Sequence, residues 1–209
     1  MEREIEIPSD GKTVRGILAL PHEPKGLIIF AHGGGSSRLS PRNTFVASVL
    51  RQAGFATLLM DLLTVEEESD RRNVFDIPLL AGRLRSATAW ARSAPETAAL
   101  PVGYFGASTG AAAALYACVA FDTDVFAVVS RGGRPDLADE YLPRVKAPTL
   151  LIVGGDDDAV IGLNEAAFEK ISAEKQHVII PGATHLFEEP GALEEVARLA
   201  ADWFSSHVR

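Results

Sequence analysis

The pentapeptide Gly106-Ala107-Ser108-Thr109-Gly110 sets a glycine two residues to either side of a serine. Before it runs the apolar Val102-Gly103-Tyr104-Phe105, and after it comes an alanine-rich stretch from Ala111 to Phe121. The short apolar run reads as a strand buried on both faces, and the alanine-rich stretch reads as a helix. The chain must therefore turn sharply from strand into helix with the serine at the apex. A turn of this kind strains the apex residue and lifts its side chain clear of the sheet. Gly106 and Gly110 suit it, because a Cβ at either position would crowd the helix against the strand. Small residues are common, so the pentapeptide gains its meaning from the strand and helix on its two sides.

The rest of the chain repeats that alternation. Residues 4–7 and 13–20, joined by Pro8-Ser9-Asp10-Gly11, predict an antiparallel hairpin at a sheet edge. Buried strands follow at 27–31 and 56–62, with a helix from Pro41 to Ala53 between them that Gly54 ends. Thr64 to Asp70, with Glu66-Glu67-Glu68, reads as a solvated loop. Residues 77–94 predict an amphipathic helix with Leu80, Leu84 and Ala87 on the buried face and Arg83, Arg85 and Arg92 off it. Strands at 125–129, 148–155 and 177–180 alternate with helices from about 163 to 171 and from 192 to 206. No repeat or linker divides the chain, so residues 1–209 are expected to form one domain. Strand and helix in alternation imply a mostly parallel sheet, eight strands in all, with helices on both faces. In such sheets ligands bind beyond the carboxyl ends of the strands. His32 with its glycine-rich loop, Ser108, Arg131, Asp156 to Asp158 and His185 all fall there.

Composition narrows the partners. Twenty basic against twenty-eight acidic side chains give a net charge of −8 and a pI near 5.1, a field that repels phosphate backbones and anionic lipid. Neither nucleic acid nor membrane is expected as a partner, and oligomeric state is open between monomer and homodimer. Cys118 is the single cysteine and lies within an apolar helical segment, so it reads as packing, and such usage fits a reducing compartment. The first residues alternate charged and apolar side chains rather than forming a signal sequence, and no uncharged apolar stretch has bilayer length. A cytoplasmic location is expected.

A serine hydroxyl attacks well only when a base takes its proton, and a histidine near its ordinary pKa suits that task. The histidine in turn needs a carboxylate to fix its tautomer and stabilise the imidazolium. Ser108, an aspartate among Asp156, Asp157 and Asp158, and then His185 supply all three in chain order. An acid after the preceding strand is the weaker alternative, because Arg131, Gly132 and Gly133 occupy that strand end and Asp136 is the only carboxylate near it. His22, His177 and His207 read as surface or packing residues. A metal site of His32, His185 and Asp157 would leave the serine turn unexplained, so neither metal nor cofactor is expected.

Across essentially its whole length the chain resembles the serine α/β-hydrolases of the dienelactone hydrolase-like group. The likeness is carried by His32-Gly33-Gly34-Gly35-Ser36-Ser37-Arg38, by Gly106 to Gly110, by Gly154-Gly155-Asp156-Asp157-Asp158 and by Gly182-Ala183-Thr184-His185. The resemblance implies an α/β-hydrolase fold and a Ser108, His185, Asp157 triad, with the acid at the last place of a Gly-Gly-x-Asp pattern. It implies an oxyanion hole from the amides of Thr109 and Gly34, with Gly35 the alternative, and a structural role for His32 in shaping the loop. True dienelactone hydrolases use a cysteine nucleophile where this chain has Ser108, a departure that argues against dienelactone as the substrate. Too few residues separate the strand ending at Val129 from the next one to hold a cap domain, so an open site is expected. Arg38, Arg131 and Arg134 are candidate substrate-binding residues for an acidic acyl group. The expectation is a carboxylic-ester hydrolase acting on a small-molecule ester. A lactonase, thioesterase or acyltransferase would use the same three residues, and a non-catalytic binding module is the reading from a different class.

Overall fold

The computed structural model describes residues 1–121 and 123–209. Eight strands form one sheet: β1 (Glu2–Ser9), β2 (Lys12–Ala19), β3 (Leu27–Ala31), β4 (Ala56–Met60), β5 (Val102–Ala107), β6 (Val128–Arg131), β7 (Thr149–Gly154) and β8 (Lys175–Ile180). Their order across the sheet is β1-β2-β4-β3-β5-β6-β7-β8. The β1–β2 and β2–β4 contacts are antiparallel and the other five are parallel. Helices α1 (Pro41–Gln52), α2 (Val65–Glu68), α3 (Ile77–Ser93), α4 (Thr109–Ala120), α5 (Asp158–Lys170) and α6 (Ala192–His207) complete the chain.

Central strands obey a strict period of two with both faces buried. On β3, Ile28 and Phe30 pack with Val46 and Leu50 of α1 and with Val196 and Phe204 of α6. Leu27, Ile29 and Ala31 pack the opposite way, with Leu80 and Leu84 of α3 and Ala112 to Leu115 of α4. The sheet is thus a partition between two apolar cores. The chain leaves β3 toward β4 on one side and β5 lies on the other, so the order of strands reverses between β3 and β5. A crevice opens at such a reversal, beyond the carboxyl ends of the strands. Ser108 follows β5 directly and the glycine-rich loop follows β3 directly.

Several boundaries differ from the sequence reading: β4 ends at Met60 rather than Leu62, β6 begins at Val128 rather than Val125, and β8 begins at Lys175 rather than His177. Strand β6 ends at Arg131 rather than Val129, because Gly106 and Ala107 of β5 continue the pairing to Ser130 and Arg131, two residues that apolar pattern does not flag. Helix α5 starts at Asp158, five residues before the sequence-based estimate, and carries Gly162 in its interior where nothing crowds it. The segment from Thr64 is not a loop: it holds α2 and a 3₁₀ turn, Arg71–Phe75. Arg83 of α3 is buried, at 1% exposure, rather than on an outer face. Between β6 and β7 lies only a 3₁₀ run, Pro135–Arg144, and no cap domain occurs among the described residues.

Candidate active site

At the apex of the turn Ser108 adopts φ 51° and ψ −121°, a strained conformation for a residue with a side chain. Its surroundings leave it no relaxed alternative. A Cβ on Gly106 would lie 2.4 Å from Cα of Ala111, and one on Gly110 would lie 2.1 Å from the carbonyl oxygen of Ala31. The Ser108 amide donates to the Arg131 carbonyl at 3.2 Å, and the Ser108 carbonyl accepts from Arg134 at 3.1 Å. Those bonds leave Oγ as the free end of the residue, with no protein partner among the described residues.

His185 and the aspartates arrive on two loops sewn together by backbone bonds. Gly155 donates to Ile180 at 2.8 Å and Asp156 donates to Ala183 at 2.9 Å. Gly154 permits this approach, since a Cβ there would meet the Ala183 carbonyl oxygen at 2.3 Å. Within the junction His185 Nδ1 lies 2.6 Å from Asp157 Oδ2. The Asp157 side chain is 9% exposed, whereas Asp156 and Asp158 face solvent and make no bond to the ring. Thr184 fixes the loop from the other side, its amide and hydroxyl donating to Glu189 at 3.0 and 2.7 Å. The Thr184 hydroxyl and amide hold the Glu189 carboxyl below its usual range. Gly132 lies against the His185 ring: its φ is 51°, and a Cβ would come within 3.4 Å of Cε1 and Nδ1. The loop after β6 therefore touches both Ser108 and His185, and no hydrogen bond joins the two side chains directly.

The loop after β3 completes the arrangement. His32 is buried at 5% exposure, and its Nε2 accepts the Leu62 amide proton at 3.0 Å. Nδ1 must then carry the ring proton, which it donates to the Gly33 carbonyl at 2.8 Å. Burial lowers the His32 pKa, against the bond to Gly33 and the charges of Asp61 and Glu68, so the ring is kept neutral. Because the peptide is planar and trans, fixing the Gly33 carbonyl on His32 turns the Gly34 N–H the opposite way. Gly33 packs against Ser108, where a Cβ would fall 2.9 Å from the serine Cβ, and a Cβ on Gly34 would strike Val74 at 2.3 Å. Gly34 and Thr109 both line two adjoining cavities of about 590 and 540 Å³. The first extends past Leu39, Leu62 and Arg42, and the second reaches Ser108, Phe75, Arg71 and Arg134.

The three candidate arginines separate. Arg38 lines neither of these cavities and bonds Asp61 through its amide at 2.8 Å and through Nη1 at 2.9 Å. Arg134 lines the second cavity but forms a two-pronged pair with Asp136 at 2.8 and 2.7 Å. Arg131 is buried at 7% exposure. Glu68, Arg71 and Val74 build a wall of the site, which the sequence reading does not foresee: it takes Glu66-Glu67-Glu68 for a solvated loop and gives Arg71 and Val74 no role. One signal for them was legible, since Thr64-x-x-Glu67 is the spacing of a capping box, and both of its bonds form.

A serine lifted at a glycine-flanked turn above the parallel part of the sheet, with an aspartate after the second strand beyond it and that aspartate's histidine partner after the third, on a sheet covered by helices on both faces, defines an α/β-hydrolase fold. Within that class the chain belongs to the dienelactone hydrolase family, whose sequence model matches residues 14–208. A dienelactone hydrolase from Anabaena variabilis superposes with a TM-score of 0.96 at 55% identity, covering 100% of this chain and 99% of that one. A lidless α/β serine hydrolase from Xanthomonas campestris shares the fold at 18% identity, with a TM-score of 0.82 over 99% of this chain and 95% of the other. A protein of Mycobacterium tuberculosis strain H37Rv, provisionally named a phosphoribosyl transferase, is 58% identical over 207 residues. That match takes in 99% of this chain and 47% of the other, so the chain spans about half the length of the curated relatives it matches. Among the described residues no helix is long and apolar enough to cross a membrane.

Proposed function

We propose that the chain hydrolyses small carboxylic esters through an acyl-enzyme on Ser108. His185 Nε2 takes the Ser108 proton as Oγ attacks the ester carbonyl, and Asp157, bonded to Nδ1–H, keeps the tautomer that leaves Nε2 free. The amides of Gly34 and Thr109 receive the negative charge on the former carbonyl oxygen, each such donor contributing about 3 kcal/mol to the transition state. The imidazolium returns its proton to the departing alkoxide, and an alcohol leaves. A water molecule, deprotonated by His185, then attacks the acyl carbonyl and releases the acid and Ser108. The 2.6 Å His185–Asp157 bond carries the proposal, because it is made by the loop that also packs against the support of Ser108.

Lactones and thioesters offer the same carbonyl, and an alcohol or amine in place of water would make the reaction acyl transfer. Competing acceptors and product analysis separate these outcomes. The phosphoribosyl transferase name belongs to a protein of which this chain matches 47%, whereas the residues that support ester hydrolysis all lie in this chain. The lone cysteine and acidic charge support a cytoplasmic setting with a small molecule as the partner. The test is turnover of p-nitrophenyl acetate and butyrate together with fluorophosphonate labelling. Wild-type protein should be labelled and active, and Ser108→Ala should lose both properties. Equal turnover by the variant would refute the nucleophile assignment, and an unlabelled wild type with no ester turnover would favour a binding module.

A further inference from the structure

Two arginines beside the site hold N–H groups that the protein leaves unused. Along β6, Val129 points into the core formed with α1 and α6, and Arg131, two residues on, shares that face. Phe187, from the histidine loop, closes the same face at 1% exposure. Arg131 is 7% exposed, and neither Nε nor Nη1 meets an acceptor among the described residues. Arg42, the second residue of α1, lies one helical turn before Val46, which packs in the same core as Val129. Its own Nε is also buried without an acceptor. Its Nη1 reaches Glu188 at 3.3 Å, a carboxylate whose side chain is 65% exposed. Burial first, and then the like charge of Arg42, lowers the Arg131 pKa to about 10, with no carboxylate acting in the other direction.

Helix α1 opens on the same spot. Its first turn holds no acidic residue, and Asn43 N–H is taken by the Ser40 hydroxyl at 3.3 Å. Pro41 has no N–H, so the amide of Arg42 is the free donor of that turn. A helix N-terminus favours negative charge, and a buried guanidinium without a carboxylate, on the core face from which that helix rises, favours it further. Arg42 also lines the cavity of about 590 Å³ that Gly34 and Thr109 border.

We infer that Arg42, Arg131 and the N-terminus of α1 form a binding site for an oxyanion of the phosphate or carboxylate kind, separate from the oxyanion hole and reached from the cavity wall that Pro41 and Arg42 supply, with Arg131 behind it. Three buried guanidinium N–H groups and one backbone amide are its donors, and planar guanidiniums pair with such anions in forked bonds. The anion is either a free ion or an acid group carried by the substrate. The site stands on the unpartnered arginines and not on the assignment of Ser108, so its first test is a binding measurement that needs no turnover.

Calorimetric titration of the whole chain with inorganic phosphate, at fixed ionic strength and in chloride-free buffer, reads it directly. Saturable binding of one phosphate is expected, weakened at least ten-fold in Arg42→Gln and in Arg131→Gln and unchanged in Arg38→Gln. Arg42 is partly exposed, so its variant serves even where Arg131→Gln fails to fold. A second arm compares p-nitrophenyl hydrogen succinate with p-nitrophenyl butyrate. A substrate-borne acid group gives the wild type a preference for the succinate that Arg42→Gln reduces at least ten-fold, whereas a free ion gives phosphate binding without such a preference. Absence of both phosphate binding and succinate preference, or either one undiminished in Arg42→Gln, overturns the site.

Discussion

Asp157 stands between two residues of the same charge and reach, and its position in the turn alone brings it to His185 Nδ1 at 2.6 Å. Asp156 is held outward by its amide bond to Ala183, and Asp158 begins α5. On the proposed mechanism, Asp157→Asn presents the wrong hydrogen-bonding group to Nδ1 and should lower kcat about 10⁴-fold. Asp156→Asn and Asp158→Asn, being surface changes, should stay within about three-fold of wild type. Steady-state kinetics on p-nitrophenyl butyrate decide between the three. His32 acts one step further back, by fixing the peptide whose N–H belongs to Gly34. His32→Leu frees that peptide and leaves the Leu62 amide without its acceptor. We expect kcat to fall about 10²-fold with KM little changed, and stability to fall by about 2 kcal/mol. A change confined to KM would mean that the histidine shapes a binding surface instead.

Among the elements, α2 shows what charge pattern hid and what it revealed. Read as a string, Glu66-Glu67-Glu68 is a solvated run, and Glu66 and Glu68 are indeed exposed. Glu67 turns inward, where its Oε1 accepts from buried Arg83 at 2.7 Å and lies 3.1 Å from Lys12, while its Oε2 accepts from the Thr64 amide at 2.9 Å. Arg83 also donates to the Ser9 carbonyl at 2.8 Å, so one side chain ties α3 to β1 and to the wall of the site. No local rule shows that an arginine on an amphipathic helix faces inward, because its partner lies sixteen residues away. Elements with a clear apolar pattern and clean stops, β3 and α6, were legible to within a residue, whereas β6 and α5 were shifted by three and five residues at their starts. Features defined by a distant polar partner were not legible. Arg83→Met should cost about 3 kcal/mol in urea unfolding, less than a fully isolated buried charge would, because Glu67 keeps Lys12. The same variant should lose turnover through a loosened Val74 and Gly34, whereas a wall held by packing alone would leave kcat unchanged.

For the molecule as a whole, the sheet and the sites at its carboxyl edge follow from alternating apolar runs and from which residues end them. The joint between the cores and the charges becomes visible only in three dimensions. That joint predicts a dome of stability against pH. Burial alone would raise the Glu67 carboxyl, but the Thr64 amide, Lys12 and Arg83 outweigh it and hold it low. Because its folded value lies below its unfolded one, its contribution is complete above about pH 4.3 and is lost as pH falls through the folded value. His32 acts at higher pH: burial favours its neutral ring, so the unfolded chain takes up the proton first as pH falls past about 6.5, and stability starts to drop there. On the alkaline side the order inverts. Burial pushes the Cys118 thiol up to about 12 and raises Tyr104, which is fully buried with its hydroxyl 2.7 Å from Thr88. The unfolded chain releases these protons first, near 8.5 for cysteine and 10 for tyrosine, so stability declines above about pH 8.5. Urea midpoints from pH 4 to 11 should therefore form a plateau between about 7 and 8.5, with slopes on both sides. Cys118→Ala should extend the plateau toward pH 10, and His32→Leu should flatten the slope between 5 and 7. A midpoint that rises on acidification from pH 7 to 5 would contradict the buried neutral state of His32, and with it the tautomer that aims Gly34.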